Sequence, residues 1–147
     1  MDILHRIGAE GASPDDAYRA LATIEGLSEW WTEDTRGDSE VGGLLEFRFV
    51  PGNIVMKVLE LDPGRRVRWE GVEGGPEEWV GTTITFDLER DGDYTIVMFG
   101  HEGWTEAGPF MHHCSTKWAA YLQSLKLLLE TGTGAPSPGD VQISNWH

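Results

Sequence analysis

The clearest pattern of apolar and polar positions lies near the end of the chain, in residues 118–132. Trp118, Tyr121, Leu122 and Leu125 recur at intervals of three and four residues, which is the period of one helix face. This helix follows a long region of strand-like segments instead of alternating with them. The order predicts a single C-terminal helix that buries its apolar face on a mostly antiparallel sheet.

Two short helices are predicted near the start of the chain. Residues 3–10 can form a first strand, and Ser13-Pro14 then supplies a helix cap followed by a first-turn proline. We expect a first helix from about Pro14 to Ala22 and a second short turn from Leu27 to Trp31. These two helices therefore interrupt the sheet directly after its first strand.

From residue 42 onward the pattern has a period of two, which indicates strands with one apolar face. Leu45, Phe47 and Phe49 alternate with charged residues in the first of these strands. Further strands are predicted at residues 54–61, 66–70, 83–88 and 94–99, and Asp91-Gly92 is a hairpin signal. In the last strand both faces are apolar, so the pattern leaves open whether Met98 or Phe99 points inward.

Composition limits the class of protein. The chain has 147 residues, of which 39% are hydrophobic and seven are tryptophan, and this suits one domain with a hydrophobic core. The net charge of -14 disfavours nucleic acid and anionic membranes as partners. No apolar run approaches the roughly 20 residues that span a bilayer, and the first ten residues are too charged for a signal peptide. Cys114 is the only cysteine, so we expect no intrachain disulfide and a cytoplasmic location.

Residues 133–147 differ from the rest of the chain. The stretch from Gly132 to Gly139 reads G-T-G-A-P-S-P-G, a composition typical of flexible segments. We therefore predict one domain over residues 1–132 and a flexible tail over residues 133–147. Val141, Ile143 and Trp146 in this tail can dock on the domain or on a second copy of the chain, which makes a homodimer one partner hypothesis.

Several short motifs occur in an order that resembles a known superfamily. They are Ser13-Pro14, Trp30-Trp31, Gly42-Gly43, Asp62-Pro63, Thr95 to Met98, His101-Glu102-Gly103-Trp104 and the closing helix Trp118 to Gly132. Together, over residues 3–132, they resemble the START-like (SRPBCC, birch pollen allergen) superfamily, and within it the AHSA-type branch related to the activator of a heat-shock chaperone ATPase. The resemblance implies an α+β helix-grip fold, in which a curved antiparallel sheet wraps around a long C-terminal helix.

The resemblance also implies a cavity between that helix and the sheet, with no metal or cofactor. Apolar and aromatic walls are typical of small-molecule sites, so we expect a planar or apolar ligand that is not strongly anionic. The same rings can instead fill a solid core, since buried aromatic side chains commonly serve packing. The expected ligand-binding residues are Trp31, Phe47, Phe49, Met56, Trp69, Phe86, Met98, Trp104, Phe110, Met111, Trp118, Tyr121 and Leu122.

The sequence is also compatible with two other functions. A cyclase or hydrolase would use polar groups in the same cavity, and His101 at a strand end is a candidate acid or base. More simply, that histidine can end the strand and bond a loop. The superfamily branch also implies a co-chaperone role in the stress response, but the activator that names it has a separate N-terminal domain for which this chain has no room.

His112, His113 and Cys114 form the densest cluster of potential metal ligands. Adjacent positions on a helix point about 100 degrees apart, whereas helical zinc pairs are spaced i, i+4. We therefore expect a solvated helix start and a small buried thiol instead of a metal site. A nucleophilic pair of Cys114 and His112 is a further alternative, but the sequence offers no recognisable third group to orient it.

Overall fold

A computed structural model describes residues 1–49 and 51–147 as one antiparallel sheet with helices packed against it. In these residues the strands are β1 (Ile3–Glu10), β2 (Asp34–Gly37), β3 (Leu44–Arg48), β4 (Asn53–Asp62), β5 (Arg66–Gly71), β6 (Thr83–Asp91) and β7 (Tyr94–Glu102). The helices are α1 (Pro14–Ala22), α2 (Ile24–Trp30) and α3 (Pro109–Thr131), with a short 3-10 turn at Glu77–Trp79. The predicted α+β helix-grip class is confirmed.

The seven strands lie in the order β1-β7-β6-β5-β4-β3-β2, so β1 reaches across the sheet to pair with β7. All the paired neighbours are antiparallel. The predicted Asp91-Gly92 hairpin joins β6 to β7, where Asp91 pairs with Tyr94. Strand β2 was not predicted, because its four residues, Asp34–Gly37, are polar and carry no alternation for a pattern to show.

Helix α1 begins and ends where the sequence predicts, because its first turn is capped. The Ser13 hydroxyl accepts from the Asp16 backbone N–H at 3.1 Å, and the Asp16 carboxylate accepts from the Ser13 N–H at 3.4 Å. Helix α2 begins at Ile24, three residues before the expected turn at Leu27. The Thr23 hydroxyl caps it by accepting from the Gly26 N–H at 3.0 Å.

Helix α3 ends as predicted but begins at Pro109, nine residues before the apolar period becomes visible at Trp118. Gly132 ends it in the left-handed conformation, with φ of 86°. The first two turns contain polar residues such as His112 and Thr116, which hide the helical period from a search for apolar spacing. No helix in residues 1–49 and 51–147 is long and apolar enough to cross a bilayer.

A cluster of aromatic rings fills the space between the sheet and α3. The Trp31 ring lies 4.2 Å from Phe47, 5.9 Å from Trp69 and 4.9 Å from Trp118, measured between centroids. Phe86 continues the cluster at 5.2 Å from Trp69. These contacts bury large apolar areas and make this part of the interior a packed core.

Strand β7 points Phe99, and not Met98, toward α3. The Phe99 ring lies 4.6 Å from Trp118, and its β1 neighbour His5 bonds the Ser115 carbonyl of α3. Met98 lies on the outer face of the sheet, where it pairs with Arg6 and is 45% exposed. A strand alternates its side chains, so one inward residue fixes the direction of both neighbours.

The segment after α3 lies along the domain over part of its length. The Ser137 N–H donates to the Trp31 carbonyl at 2.8 Å, and the Glu33 N–H donates to the Ser137 carbonyl at 3.0 Å. Ser124 of α3 accepts from the Ala135 N–H at 2.7 Å. The division into a domain of residues 1–132 and a flexible tail stays a prediction, since these contacts give position and not motion.

Candidate functional site

A cleft of about 360 Å³ opens beside the aromatic core, at the N-terminal half of α3. Besides α3, its walls come from four regions. They are Trp31 at the end of α2, Phe49 and residues 51–54 around the start of β4, Pro76 and Trp79 before β6, and Ser137, Pro138, Trp146 and His147 after α3. We call it the aromatic cleft. Its volume lies in the usual range for a small-molecule site.

Aromatic rings form the inner wall of the aromatic cleft. Trp31, Phe49 and Tyr121 lie together, with Phe49 6.1 Å from Trp31 and 6.3 Å from Tyr121. Trp79 stacks on Trp118 at 5.8 Å with an interplanar angle of 19°. Two flat surfaces of this kind favour a flat apolar molecule as occupant.

The predicted ligand-binding residues fall into three groups in the structure. Those that line the aromatic cleft are Trp31, Phe49, Phe110, Trp118 and Tyr121. Those that lie in the packed core outside the lining are Phe47, Met56, Trp69, Phe86 and Leu122, each 0% exposed. The remaining three, Trp104, Met111 and Met98, also lie outside the lining. Trp104 packs against Phe110 and His101, Met111 packs against the core from α3, and Met98 faces outward.

The other thirteen lining residues were not among the predicted ligand-binding residues. They are Pro51, Gly52, Asn53, Ile54, Pro76, Trp79, His113, Cys114, Lys117, Ser137, Pro138, Trp146 and His147. One signal was present: His113, Lys117 and Tyr121 are spaced i, i+4, i+8 and so share one face of α3. The rest come from loops and the tail, whose positions depend on tertiary contacts.

Lys117, which lines the aromatic cleft, forms an ion pair with Asp140 behind the cleft wall. The Lys117 ammonium lies 2.5 Å from the Asp140 carboxylate, and the two side chains are only 13% and 3% exposed. The Tyr121 hydroxyl donates at 2.8 Å to the same carboxylate oxygen, Oδ2, and the His147 Nε2 lies 3.3 Å from the other oxygen, Oδ1. A carboxylate with so little water around it depends on these partners.

The network changes the acidity of its members. Burial acts to raise the pKa of Asp140, but hydrogen bonds from Lys117, Tyr121 and His147 outweigh it, so the pKa is lowered. Burial, followed by the neighbouring Asp140, raises the pKa of Tyr121, which therefore remains a hydrogen-bond donor. Burial and the nearby Lys117 lower the pKa of His113, which favours its neutral form.

His101, the candidate acid or base, lies outside the lining of the aromatic cleft and is fully buried. Its Nδ1 accepts from the Trp118 indole N–H at 3.1 Å, and its Nε2 lies 2.8 Å from the Thr82 hydroxyl. That hydroxyl donates to the Trp79 carbonyl, so it accepts from Nε2–H and fixes the neutral tautomer. Burial lowers the pKa of His101 to about 3.

Cys114 and its histidine neighbours do not form a catalytic or metal-binding arrangement in the described residues. Burial raises the pKa of Cys114 to about 12, so the thiol is not a ready nucleophile. His112 bonds the Gly108 carbonyl at the helix start, and His113 stacks on Phe110. No group of three metal-ligating side chains is found in residues 1–49 and 51–147.

Taken together, a long C-terminal helix gripped by an antiparallel sheet, with a ring-lined cleft beside the helix, defines the helix-grip class. The chain belongs to the family described as "Activator of Hsp90 ATPase homolog 1-like protein", which matches residues 11–130. The resemblance predicted from its motifs is therefore confirmed.

Solved structures support the same assignment. The Aha1 dimer from Colwellia psychrerythraea is 45% identical, with a TM-score of 0.84, and the match covers 91% of this chain and 99% of that chain. CalU16 from Micromonospora echinospora is 24% identical, with a TM-score of 0.72, over 93% of this chain and 77% of that chain. At that identity the second match shows the fold alone. No curated protein sequence matches this chain.

Proposed function

We propose that this protein binds a small, flat, apolar or aromatic molecule in the aromatic cleft. The observation that carries the proposal is the cleft itself, about 360 Å³ with Trp31, Trp79 and Trp118 in its walls. Rings of this kind give a ligand a large contact area at little cost in side-chain entropy, because each has only two rotatable bonds. The packed core behind them holds the wall rigid.

Binding explains the geometry better than catalysis does. The buried histidine that a cyclase or hydrolase would use has both ring nitrogens engaged, by Trp118 and by Thr82. A general base needs a free nitrogen within reach of its substrate. Membership of the family also suggests a co-chaperone role. In the described residues, however, no specific surface supports that role as the cleft supports ligand binding.

Calorimetric titration with a neutral aromatic probe, 2-naphthamide, tests the proposal. We expect binding to the wild-type chain, and an affinity about tenfold lower in Phe49→Ala, because this substitution removes one ring of the cleft wall. Leu44→Ala on the neighbouring strand β3 is the matched control: Leu44 is 52% exposed, and it lies outside the cleft.

The proposal is contradicted if 2-naphthamide does not bind to the wild type. It is also contradicted if Phe49→Ala, like Leu44→Ala, binds the probe as tightly as the wild type, since the cleft is then not a site for flat apolar molecules. Native mass spectrometry of freshly purified protein adds a second readout, since a retained organic adduct would identify the class of the natural ligand.

We further propose a homodimer in the cytoplasm. The solved relative at 45% identity is described as a dimer, and nearly all of that chain is covered by the match. The single cysteine, Cys114, is free and buried, as is usual in a reducing compartment.

A further inference from the structure

The segment of residues 137–147, here called the tail segment, forms one wall of the aromatic cleft. Ser137, Pro138, Trp146 and His147 all line it. The ring of Trp146 also lies 5.5 Å from His113 on α3. The tail segment therefore takes up space next to the rings that a ligand would contact.

Asp140 of the tail segment does not itself line the cleft, but it places a negative charge against two residues that do, Lys117 and Tyr121. Its carboxylate contacts the Lys117 ammonium at 2.5 Å and accepts from the Tyr121 hydroxyl at 2.8 Å. Both donors come from α3, one helical turn apart, and they belong to the domain itself and not to the tail segment. Such a pair of donors is a small anion-binding site whose present occupant is a side chain of the same protein.

Lys117 gives this place a charge that the rest of the cleft lacks. Of the described residues that line the cleft, it is the one Lys or Arg. The chain as a whole carries a net charge of -14, which repels anions at long range. A buried ammonium that loses its carboxylate partner is unfavourable, so Lys117 strongly prefers some anion beside it.

We propose that Lys117 and Tyr121 form the head-group subsite of the ligand, and that Asp140 occupies it when no ligand is bound. The ligand class is then a flat apolar or aromatic molecule with one carboxylate, which displaces Asp140 and part of the tail segment. The body of the ligand lies on Trp31 and Trp118, and its carboxylate takes the place of the Asp140 carboxylate. This inference rests on the proposed function, and it revises the expectation that the ligand carries little negative charge.

Paired probes of one shape separate the charge from the body of the ligand. We would titrate 2-naphthoate and 2-naphthamide into the full chain by calorimetry at pH 7.5, comparing the wild type with Asp140→Asn. In Asp140→Asn the competing carboxylate is gone, so the affinity for 2-naphthoate should rise at least about tenfold. The affinity for 2-naphthamide should change less than about threefold, because it lacks the charge that Lys117 recognises.

Two substitutions in the Asp140→Asn background test the named donors. Adding Lys117→Met should remove the preference for 2-naphthoate over 2-naphthamide. Adding Tyr121→Phe keeps the ring and removes one hydrogen bond. The affinity for 2-naphthoate should therefore fall about threefold to tenfold, and the affinity for 2-naphthamide should not change. Circular dichroism checks that each variant is folded. If the methionine variant does not fold, the tyrosine variant still decides the matter.

Three results would overturn the inference. An Asp140→Asn variant that gains equally for both probes means that the tail segment only obstructs the cleft. No gain for 2-naphthoate means that Asp140 and Lys117 form a structural latch; with 2-naphthamide still bound, the proposed function survives. If neither probe binds any variant, both the inference and the proposed function fail.

Discussion

His101 illustrates how a single buried residue can couple stability to pH. Its neutral ring links Trp118 to Thr82, and burial lowers its pKa to about 3 from an ordinary value of 6.5. In the unfolded chain the ring binds a proton below pH 6.5, whereas in the folded chain it does not. Protonation of His101 therefore stabilises the unfolded state, and the free energy of unfolding decreases as the pH falls from 6.5 toward 3.

We expect the substitution His101→Gln to flatten this pH dependence. The wild type should lose up to about 1.4 kcal/mol of unfolding free energy per pH unit below 6.5 from this residue alone. The glutamine side chain stays neutral, so the variant starts less stable at pH 7.5 but falls less steeply. Urea denaturation between pH 7.5 and 4.5 measures both slopes. Parallel slopes for the two proteins would show that His101 takes up a proton in the folded state.

Single residues also explain part of what the sequence could tell about the site. Trp31, Trp118 and Tyr121 were expected at a cleft, and all three line it. Phe47 and Trp69 have the same chemistry but lie behind these rings, fully buried. Side-chain type alone does not separate a ring that faces a cleft from one that faces another ring, since both environments are apolar.

At the scale of elements, α3 combines two functions along one helix. Cys114, Trp118, Leu122 and Leu125 form the buried stripe that packs on the sheet. His113, Lys117 and Tyr121 form an adjacent stripe along the aromatic cleft. The first stripe is apolar and was readily detected in its C-terminal half. The second contains a histidine and a lysine, residues that a search for apolar spacing treats as solvent-exposed.

The tail after α3 approaches the helices closely at one residue, Gly134. A Cβ added there would meet the Glu29 carbonyl oxygen of α2 and would lie 3.1 Å from the Ser124 carbonyl oxygen of α3. Both are backbone atoms, which move little. Any larger residue at this position must push the tail away from the domain.

We therefore expect Gly134→Ala to loosen the tail while leaving the domain folded. Hydrogen exchange at the amides of Ala135 and Ser137, which bond Ser124 and Trp31, should accelerate by about tenfold or more. Exchange in the strands β6 and β7 should stay as in the wild type. Mass spectrometry of peptides from both regions reports the two rates.

Gly139→Ala is the matched control for that substitution. Its added Cβ would lie 3.5 Å from the nearest neighbour, the Pro136 carbonyl oxygen, which is an ordinary contact. Its exchange rates should equal those of the wild type. Equal acceleration in both variants would mean that the tail is loosened by any substitution, and that the approach at Gly134 is not what holds it.

For the whole molecule, the assembly state is the property most directly expected from the relative at 45% identity, which is a dimer. Sedimentation velocity of the purified chain should give the mass of two 16.3 kDa subunits. If the dimer interface is modest in area, dilution should dissociate the dimer and give the mass of a single chain. A single-chain mass at every concentration would contradict the expected homodimer.

The location of the cleft is also a property of the whole molecule. The resemblance placed a cavity between α3 and the sheet, but there Trp31, Phe47 and Trp69 pack on one another. The open space lies at the edge of that cluster, where loops and the tail segment meet α3. Seven tryptophans could be counted in the sequence. Whether their rings close the interior depends on rotamers and on ring-to-ring distances.

The sequence by itself determined most of the elements and their order, with the polar strand β2 as the exception. The Ser13 cap, the Asp91-Gly92 turn and the apolar period of residues 118–132 act locally, within one turn or one strand, so their spacing along the chain is enough. The Ser13-Pro14 start and the closing helix are also among the motifs whose order identified the family. Caps, turns and helical periods of this kind depend on residues that are close together in the sequence.

Only the tertiary structure decided where the cleft lies and what closes it. Lys117 meets Asp140, and Ser137 meets Trp31, through contacts between segments that are far apart in sequence. The contact between Ser137 and Trp31 is a hydrogen bond between backbone groups. Every residue type except proline carries a backbone N–H, so composition does not predict this contact. The inward direction of Phe99 is likewise set by the tertiary structure, in which its ring packs against Trp118. The sequence does not determine this direction, because both faces of β7 are apolar.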